Sequence, residues 1–346
     1  MSSPEIQNWI PLDGDAVVTR DGFVFIIIGY QHPEGRVFSF LKYLPSQFKS
    51  LFPLPFLKLT WNYRGIELHR PKQLYTPRNY QILLDTFQES FPEYVYFCPY
   101  RQKQVISTPI SAINKIYVAR QCLQNLRKLE KKDALRKKAL RLVELLSAES
   151  GIPFSEFGLH GSLALNMHHS HSDIDLTIYG AHNFRTLEQT IDQLVKEGTL
   201  NYIIKNQLDE TRLFRGRYQD TVFMYSAIRK PSEFHSEYGT HRYQPIKPVK
   251  FQCTIQNDEE AMFRPAIYPL RGYHPLDSDS KLPPEKIPVQ ALSMIGCYRN
   301  VNRQGEKIEV SGTLERVKNM ETGKTHHQVV VGTGTDIPKE EYLRPI

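Results

Sequence analysis

The sequence predicts an α+β fold in three parts: an N-terminal β-rich region (1–110), a helical segment leading into a small mixed α/β core (111–245), and a C-terminal β domain (246–346) of small-barrel type. Three observations carry this. Residues 13–45 alternate apolar and polar and are punctuated by turn signals. Residues 111–200 hold the long runs with apolar residues at helical intervals, interrupted by short strand-like segments. From Lys247 onward prolines punctuate short β runs and helical periodicity disappears.

Taken in order, Ala16 to Thr19 leads into Asp21-Gly22, a hairpin turn pair, and Phe23 to Tyr30 and Arg36 to Tyr43 complete a meander. Residues 45–76 are rich in proline and aromatics, with Phe56 to Trp61 reading as a further strand. Pro77 to Phe91 spaces Tyr80, Leu83, Leu84, Phe87 and Phe91 as a helix does, and Val95 to Phe97 is a short strand. Ser111 to Ser150 reads as mostly helical, with one stripe from Ile113 to Leu126 and a second from Leu135 to Leu146; Gly151 stops it before Pro153. Phe154 to Leu159 (strand), Ser162 to Met167 (short helix), Ile174 to Tyr179 (strand), Phe184 to Glu197 (helix) and Thr221 to Ile228 (strand) form the core. Val249 to Ile255 is another strand candidate. Ile308 to Val317 and Thr325 to Val331, joined through Glu321-Thr322-Gly323-Lys324, read as a hairpin in an OB-like or SH3-like barrel.

The 346 residues suffice for two or three domains, and 40% hydrophobic with 23% charged residues is ordinary for a soluble globular chain. No basic segment leads into an apolar run at the N-terminus, and the longest apolar runs are too short to cross a bilayer, so a cytoplasmic protein with no membrane partner is expected. Cys98, Cys122, Cys253 and Cys297 are far apart, which suits buried free thiols in a reducing compartment.

The chemistry concentrates at Gly161-Ser162 and Ser172-Asp173-Ile174-Asp175-Leu176. Alternate side chains of a strand share a face, so Asp173 and Asp175 converge while Ile174 and Leu176 turn into the core. Two close like charges call for a hard divalent cation with oxygen ligands. The small pair Gly161-Ser162 ends a strand, where backbone N–H groups can face an anion. A phosphate site beside a metal site is equipment for phosphoryl or nucleotidyl transfer.

The segment GLHGSLALNMHHSHSDIDLTIYG, with its Gly-Ser pair, ten-residue spacer and apolar-flanked Asp-x-Asp, resembles the signature of the DNA-polymerase-beta nucleotidyltransferase superfamily. The whole chain resembles uncharacterised archaeal proteins regarded as nucleotidyltransferases, with a C-terminal β region carrying Phe263-Arg264-Pro265-Ala266-Ile267-Tyr268. The resemblance implies a mixed-sheet core, a nucleoside triphosphate held at Gly161 and Ser162, and Mg²⁺ (or Mn²⁺) held by Asp173 and Asp175. It also implies a third carboxylate on a later strand. Here the sequence departs from the pattern: Thr221 to Ile228 contains no acid, and Val249 to Ile255 has Gln252. Asp220 is the best remaining choice, ahead of Asp209, Glu210 and Glu233. The expected activity is metal-dependent transfer of a nucleoside monophosphate to a hydroxyl acceptor, with an RNA end favoured over protein or small molecule. The alternative is an inactive member of the fold that binds nucleotide or nucleic acid. A carboxylate on a neighbouring strand, within metal-bridging reach of Asp173 and Asp175, discriminates the two.

Three further signals bear on partners. The net charge is +7, and residues 115–141 carry ten Lys and Arg (among them Lys131, Lys132, Lys137 and Lys138) against Glu130 and Asp133. This is either a solvated helix face or an RNA-facing surface. Arg215 and Arg217, with Arg212, Arg229 and Lys230, suit phosphate oxygens or ordinary surface pairing. His160, His168, His169 and His171 crowd the Gly-Ser loop; their irregular spacing and the lack of a cysteine favour a polar loop near nucleotide over a zinc cluster. The 19 Tyr and 18 Phe serve mainly as β-rich core, with base stacking as the alternative for any on a barrel face.

Overall fold

The computed structural model describes residues 8–73, 76–332 and 341–346. They form an α+β molecule of three sheets, each with its own apolar cluster.

The first sheet holds β1 (Ala16–Thr19), β2 (Val24–Ile27), β3 (Arg36–Pro45), β4 (Trp61–Tyr63), β5 (Ile66–His69), β6 (Val95–Cys98), β7 (Lys103–Pro109) and β8 (Ile113–Tyr117), with α1 (Pro77–Ser90) packed on it. Strand β3 shows the period-2 logic plainly: Val37, Ser39, Leu41 and Tyr43 are buried, while Phe38, Phe40 and Lys42 point to the other face and are half-buried. Phe23 is the hub of the aromatic core, meeting Phe48, Phe87, Phe91 and Tyr94 at centroid distances of 5.0 to 5.7 Å. Burying one such ring is worth about 1.5–3 kcal/mol.

Strand β8 corrects the helical reading of residues 113–117. The β-branched, aromatic run Ile-Asn-Lys-Ile-Tyr pairs antiparallel with β1, Val17 opposite Ile116, and cross-strand packing overrides the helical spacing. The first unit therefore extends past residue 110. Helices α2 (Ala119–Lys128) and α3 (Ala134–Ser150) follow, and α3 is capped by the Asp133 side chain accepting from Arg136 N at 2.9 Å.

The central sheet contains β9 (Phe157–Leu159), β10 (Ile174–Tyr179), β11 (Leu200–Tyr202), β12 (Arg215–Tyr218) and β13 (Thr221–Ile228), in the order β11-β12-β13-β10-β9. Its helices are α4 (Gly161–Ala164), α5 (Ala181–Lys196) and α6 (Gln207–Arg212). Residues 154–156, expected in the first strand, form a 3-10 turn instead, because Pro153 leads into a tight turn before β9. Strand β10 is antiparallel to β9 and parallel to β13. Ile174, Leu176 and Ile178 join Leu142 and Leu146 of α3 and Leu187 and Ile191 of α5 in one cluster. That leaves Asp175 and Thr177 on the opposite face.

The C-terminal strands are β14 (His241–Ile255), β15 (Ala266–Pro275), β16 (Gln290–Ser293), β17 (Lys307–Asn319), β18 (Thr325–Val331) and β19 (Tyr342–Pro345). The pairing β14-β15-β16-β18-β17 returns to β14, so the sheet curls upon itself around Phe251, Tyr268, Val310 and Val329. It begins at His241, a few residues before the expected boundary. Arg185 of α5 ties this sheet to the core, donating to Asp258 and Asn300 at 2.8 and 2.7 Å.

Candidate functional site

The free face of the central sheet is covered by the other two sheets, and a cavity of about 200 Å³ lies where all three meet. Its wall includes Asp13, Lys42, His160, Gly161, Asp175, Met224, Ser226, Arg264 and Arg299.

Gly161 stands at the turn from β9 into α4 with φ +68°, in the left-handed region where a side chain is strained. A Cβ placed there would lie 1.9 Å from Asp175 Oδ2. The backbone N–H of His160 donates to the Asp175 carbonyl at 2.8 Å. The Gly-Ser turn and the Asp-x-Asp strand are thus seated against each other, and only glycine permits the approach. Gly14 serves the same end from the first sheet: a Cβ there would lie 2.2 Å from His160 Cε1.

Asp175 faces the cavity, whereas Asp173, one residue ahead of β10, is exposed. Burial raises the Asp175 carboxyl above the ordinary carboxylate range; the Lys42 ammonium opposes this and the Asp173 charge adds to it. Burial lowers Lys42 to about 8, against the pull of Asp175. His160 is held down at about 3 by burial and by the neighbouring cations, so its ring is neutral. Its Nε2 has no hydrogen-bond partner among the described residues. Asp13 is buried, accepts from Gly29 N at 2.9 Å and pairs with Arg264 at 3.4 Å.

Strand register decides where the remaining candidates lie. Asp175 is level with Met224 on β13, and Met224 is level with Arg215 on β12. Arg215 therefore shares the face of Asp175, and its Nη2 reaches Met224 Sδ at 3.4 Å. The positions of β13 that line the cavity are Met224, Tyr225 and Ser226, none of them acidic. Asp220 does not line it; its exposed carboxylate pairs with Lys138 of α3. Arg217 is exposed. Ser162 is half-buried on α4 and not part of the cavity wall. Arg212 is buried and donates to the Arg299 and Gly296 carbonyls, each at 2.9 Å, which fixes the turn carrying Arg299. Asp209 caps its own helix region, accepting from Lys205 N at 3.1 Å, and Glu233 caps α5 through Ala181 N at 2.8 Å.

Among the described residues no three His, Cys, Asp or Glu side chains cluster closely enough to hold an ion by themselves. His168 bonds Asp133 at 2.9 Å, and His169 and His171 are exposed. Cys98 and Cys253 are buried as free thiols, while Cys297 is exposed, contrary to the expectation of buried thiols throughout. The basic stretch 115–141 divides: Arg120 stacks on Tyr179 at 4.1 Å and Arg136 pairs with Asp133 at 3.0 Å, whereas Lys128, Lys131, Lys137 and Arg141 are exposed. Among the described residues no helix is long and apolar enough to cross a membrane.

Sequence reasoning missed Asp13, Lys42, Arg264 and Arg299. Lys42 carried a readable signal, since it breaks the apolar face of a strand that is otherwise covered on both sides. The other three lie in irregular segments with no periodicity to read.

Comparison with known proteins finds similarity to an uncharacterized protein of Methanocaldococcus jannaschii, 24% identical over 351 residues that cover 95% of this chain and 97% of that protein. No known family and no solved structure matches the chain.

Proposed function

We propose that the chain is a nucleotide-binding protein built on a nucleotidyltransferase-like core, and that the cavity at Gly161 and Asp175 takes the phosphates of a nucleoside triphosphate. One observation carries this reading: Lys42, Arg264 and Arg299, from three different segments, converge on the same small cavity as the Gly161 turn and the Asp175 carboxylate. Clustered cations opposite a glycine turn suit a polyanion. Asp173 and Asp175 offer oxygen donors to a divalent ion such as Mg²⁺, which is commonly held by one or two carboxylates together with substrate phosphates. Such an ion would neutralise phosphate charge. The ring order of the C-terminal strands, with β16 parallel to β18, supports an OB-type barrel beside this core.

Binding without transfer is the reading favoured here, because the strand beside Asp175 presents Met224 and Ser226 where a third carboxylate would be needed. A second reading retains nucleotidyl transfer. Asp13, in the turn that precedes β1, brings another carboxylate to the same cavity. In that reading an acceptor hydroxyl oxygen attacks the α-phosphorus, the bond to the β-phosphate oxygen breaks, pyrophosphate leaves, and the hydroxyl proton passes to a carboxylate. RNA at the exposed lysines of α2 and α3 would be the first acceptor to test.

The test is incubation with each of four α-labelled nucleoside triphosphates, Mg²⁺ or Mn²⁺, and total RNA. Saturable binding with no label transferred supports the binding module. Label on RNA or on the protein establishes transfer, and its loss in Asp13→Asn assigns the carboxylate. Absence of triphosphate binding under every condition overturns both.

A further inference from the structure

A second cavity, of about 300 Å³, opens between the outer face of the C-terminal sheet, the β6–β7 hairpin and the segment after β13. This lies at the lower end of the size range of small-molecule sites. Its lining differs in kind from the first. Tyr30, Phe38, Tyr100, Phe234, Tyr238 and Tyr243 supply ring surface. The ring pairs given among them are edge-on or tilted: Tyr100 meets Tyr238 at 90°, Phe38 meets Tyr238 at 62° and Tyr30 meets Phe234 at 42°. Their faces are therefore not all consumed by mutual stacking.

Arg229 lines this cavity and is 4% exposed. Its Nη2 pairs with Glu260, and its guanidinium lies 4.1 Å from the centre of the Phe263 ring. Its Nη1 is buried and has no hydrogen-bond partner among the described residues. A buried donor left unmade costs about 1–3 kcal/mol, and more when the group is charged. Because Glu260 already balances the charge, this Nη1 calls for a neutral acceptor rather than a second anion. His241 and His326, also in the wall, are lowered by burial and sit there neutral. Arg101 also lines the wall, with its guanidinium 4.4 Å from the centre of the Tyr243 ring.

We propose that this cavity binds one flat heteroaromatic ring bearing a carbonyl, an oxo-nucleobase, stacked on the tyrosine and phenylalanine faces with its carbonyl accepting from Arg229 Nη1. Stacking supplies affinity and the guanidinium supplies discrimination between carbonyl and amino rings. The base can belong to a free nucleoside or nucleotide, or to a single-stranded RNA segment. The proposal stands apart from the phosphate cavity, whose charged groups it does not use.

Calorimetric titration with inosine and adenosine tests it, since the two differ at the carbonyl and carry no phosphate. Saturable inosine binding, with adenosine weaker by about tenfold or more, is expected. Ser236→Trp, which puts a large ring in place of a small lining residue, is expected to abolish binding. Arg229→Lys keeps the charge opposite Glu260 but removes Nη1, and is expected to erase the preference for inosine. The pair Asp173→Asn with Asp175→Asn is expected to leave inosine binding unchanged, so failure of the phosphate-site reading does not touch this one. A short oligoinosinate titrated in parallel separates the sources: much tighter binding than inosine points to RNA, equal binding to a free nucleoside or nucleotide. The proposal is overturned if neither inosine nor oligoinosinate binds, if adenosine binds as well as inosine, or if folded Ser236→Trp and Arg229→Lys both bind as wild type does.

Discussion

The two cavities share a wall and differ in the chemistry of their linings. Asp13 and Arg264 line the first, Gly29 and Pro265 line the second, and Gly29 N donates to Asp13 between them. On one side Lys42, Arg264 and Arg299 line a cavity that also holds carboxylates; on the other Arg229, whose Nη1 has no hydrogen-bond partner among the described residues, already has its charge met by Glu260. The contrast teaches that counting arginines in the sequence says little about anion binding. Arg212 and Arg229 are spent on backbone carbonyls and a glutamate away from the first cavity, while Arg264, itself paired with Asp13, and Arg299 line that cavity.

The sharpest way to break the comparison is at the carboxylates. Asp173→Asn with Asp175→Asn is expected to eliminate the rise in melting temperature that a divalent ion and a nucleoside triphosphate together produce. That rise corresponds to about 2.7 kcal/mol at a ligand concentration of 100 times Kd. Thermal scans with and without ligand check it, and an undiminished shift in the double variant would remove these residues from the site.

Gly161→Ala comes next. The left-handed φ costs about 1–2 kcal/mol for a side chain, and the new Cβ would displace the Asp175 carboxylate from its present contact. Denaturant unfolding is expected to show that loss, accompanied by lost triphosphate binding and unchanged inosine binding.

Lys42 sharpens the comparison through pH. Its ammonium is held down at about 8, so a phosphate partner loses this cation as pH rises through that value. Triphosphate affinity is expected to fall about tenfold between pH 7 and 9, or about 1.4 kcal/mol, and Lys42→Arg should flatten the profile. Inosine binding should not follow it.

Asp15 gives a smaller effect that lies outside both cavities. It is buried, hydrogen-bonded by Trp9 at 2.8 Å, and raised by burial to about 7. A folded-state pKa above the unfolded one means stability is fullest below the ordinary carboxylate range and is lost as pH rises toward 7. Melting temperatures across pH 4 to 8 should show this decline, and Asp15→Asn should reduce it.

The smallest effect is expected at Asp220. Its exposed pairing with Lys138 is screened by solvent and adds little, so Asp220→Asn should leave triphosphate binding and the melting curve nearly unchanged. Loss of binding in that variant would restore it to the site.

Much of the local structure was legible. The alternation of β3, the hairpin of β17 and β18, and the helix Ala181–Lys196 all follow from periodicity and turn residues. Gly161 and Asp175 were legible as a pair because their spacing puts a turn and a strand side by side. What periodicity could not supply was the third dimension. Asp220 and Met224 are both close to Asp175 in any reading of strand order, and only the register, Asp175 level with Met224, separates them. The helical reading of residues 113–117 failed for a related reason: Ile113 and Ile116 satisfy a helical spacing, but β1 offers them partners, Thr19 and Val17, far earlier in the chain.

That the first cavity draws on Asp13, Lys42, Asp175 and Arg299 has a bearing on how the protein is made. Domains fold as units and the N-terminal ones fold first during synthesis. The Gly161 turn and its facing carboxylate can settle while the ribosome is still working, but Arg299 is added when most of the 346 residues are already outside. Any ligand that needs Arg299 therefore cannot chaperone the early sheets into place; it rewards only the finished chain, and a product arrested before residue 299 would be folded in part yet lack a wall of the first cavity.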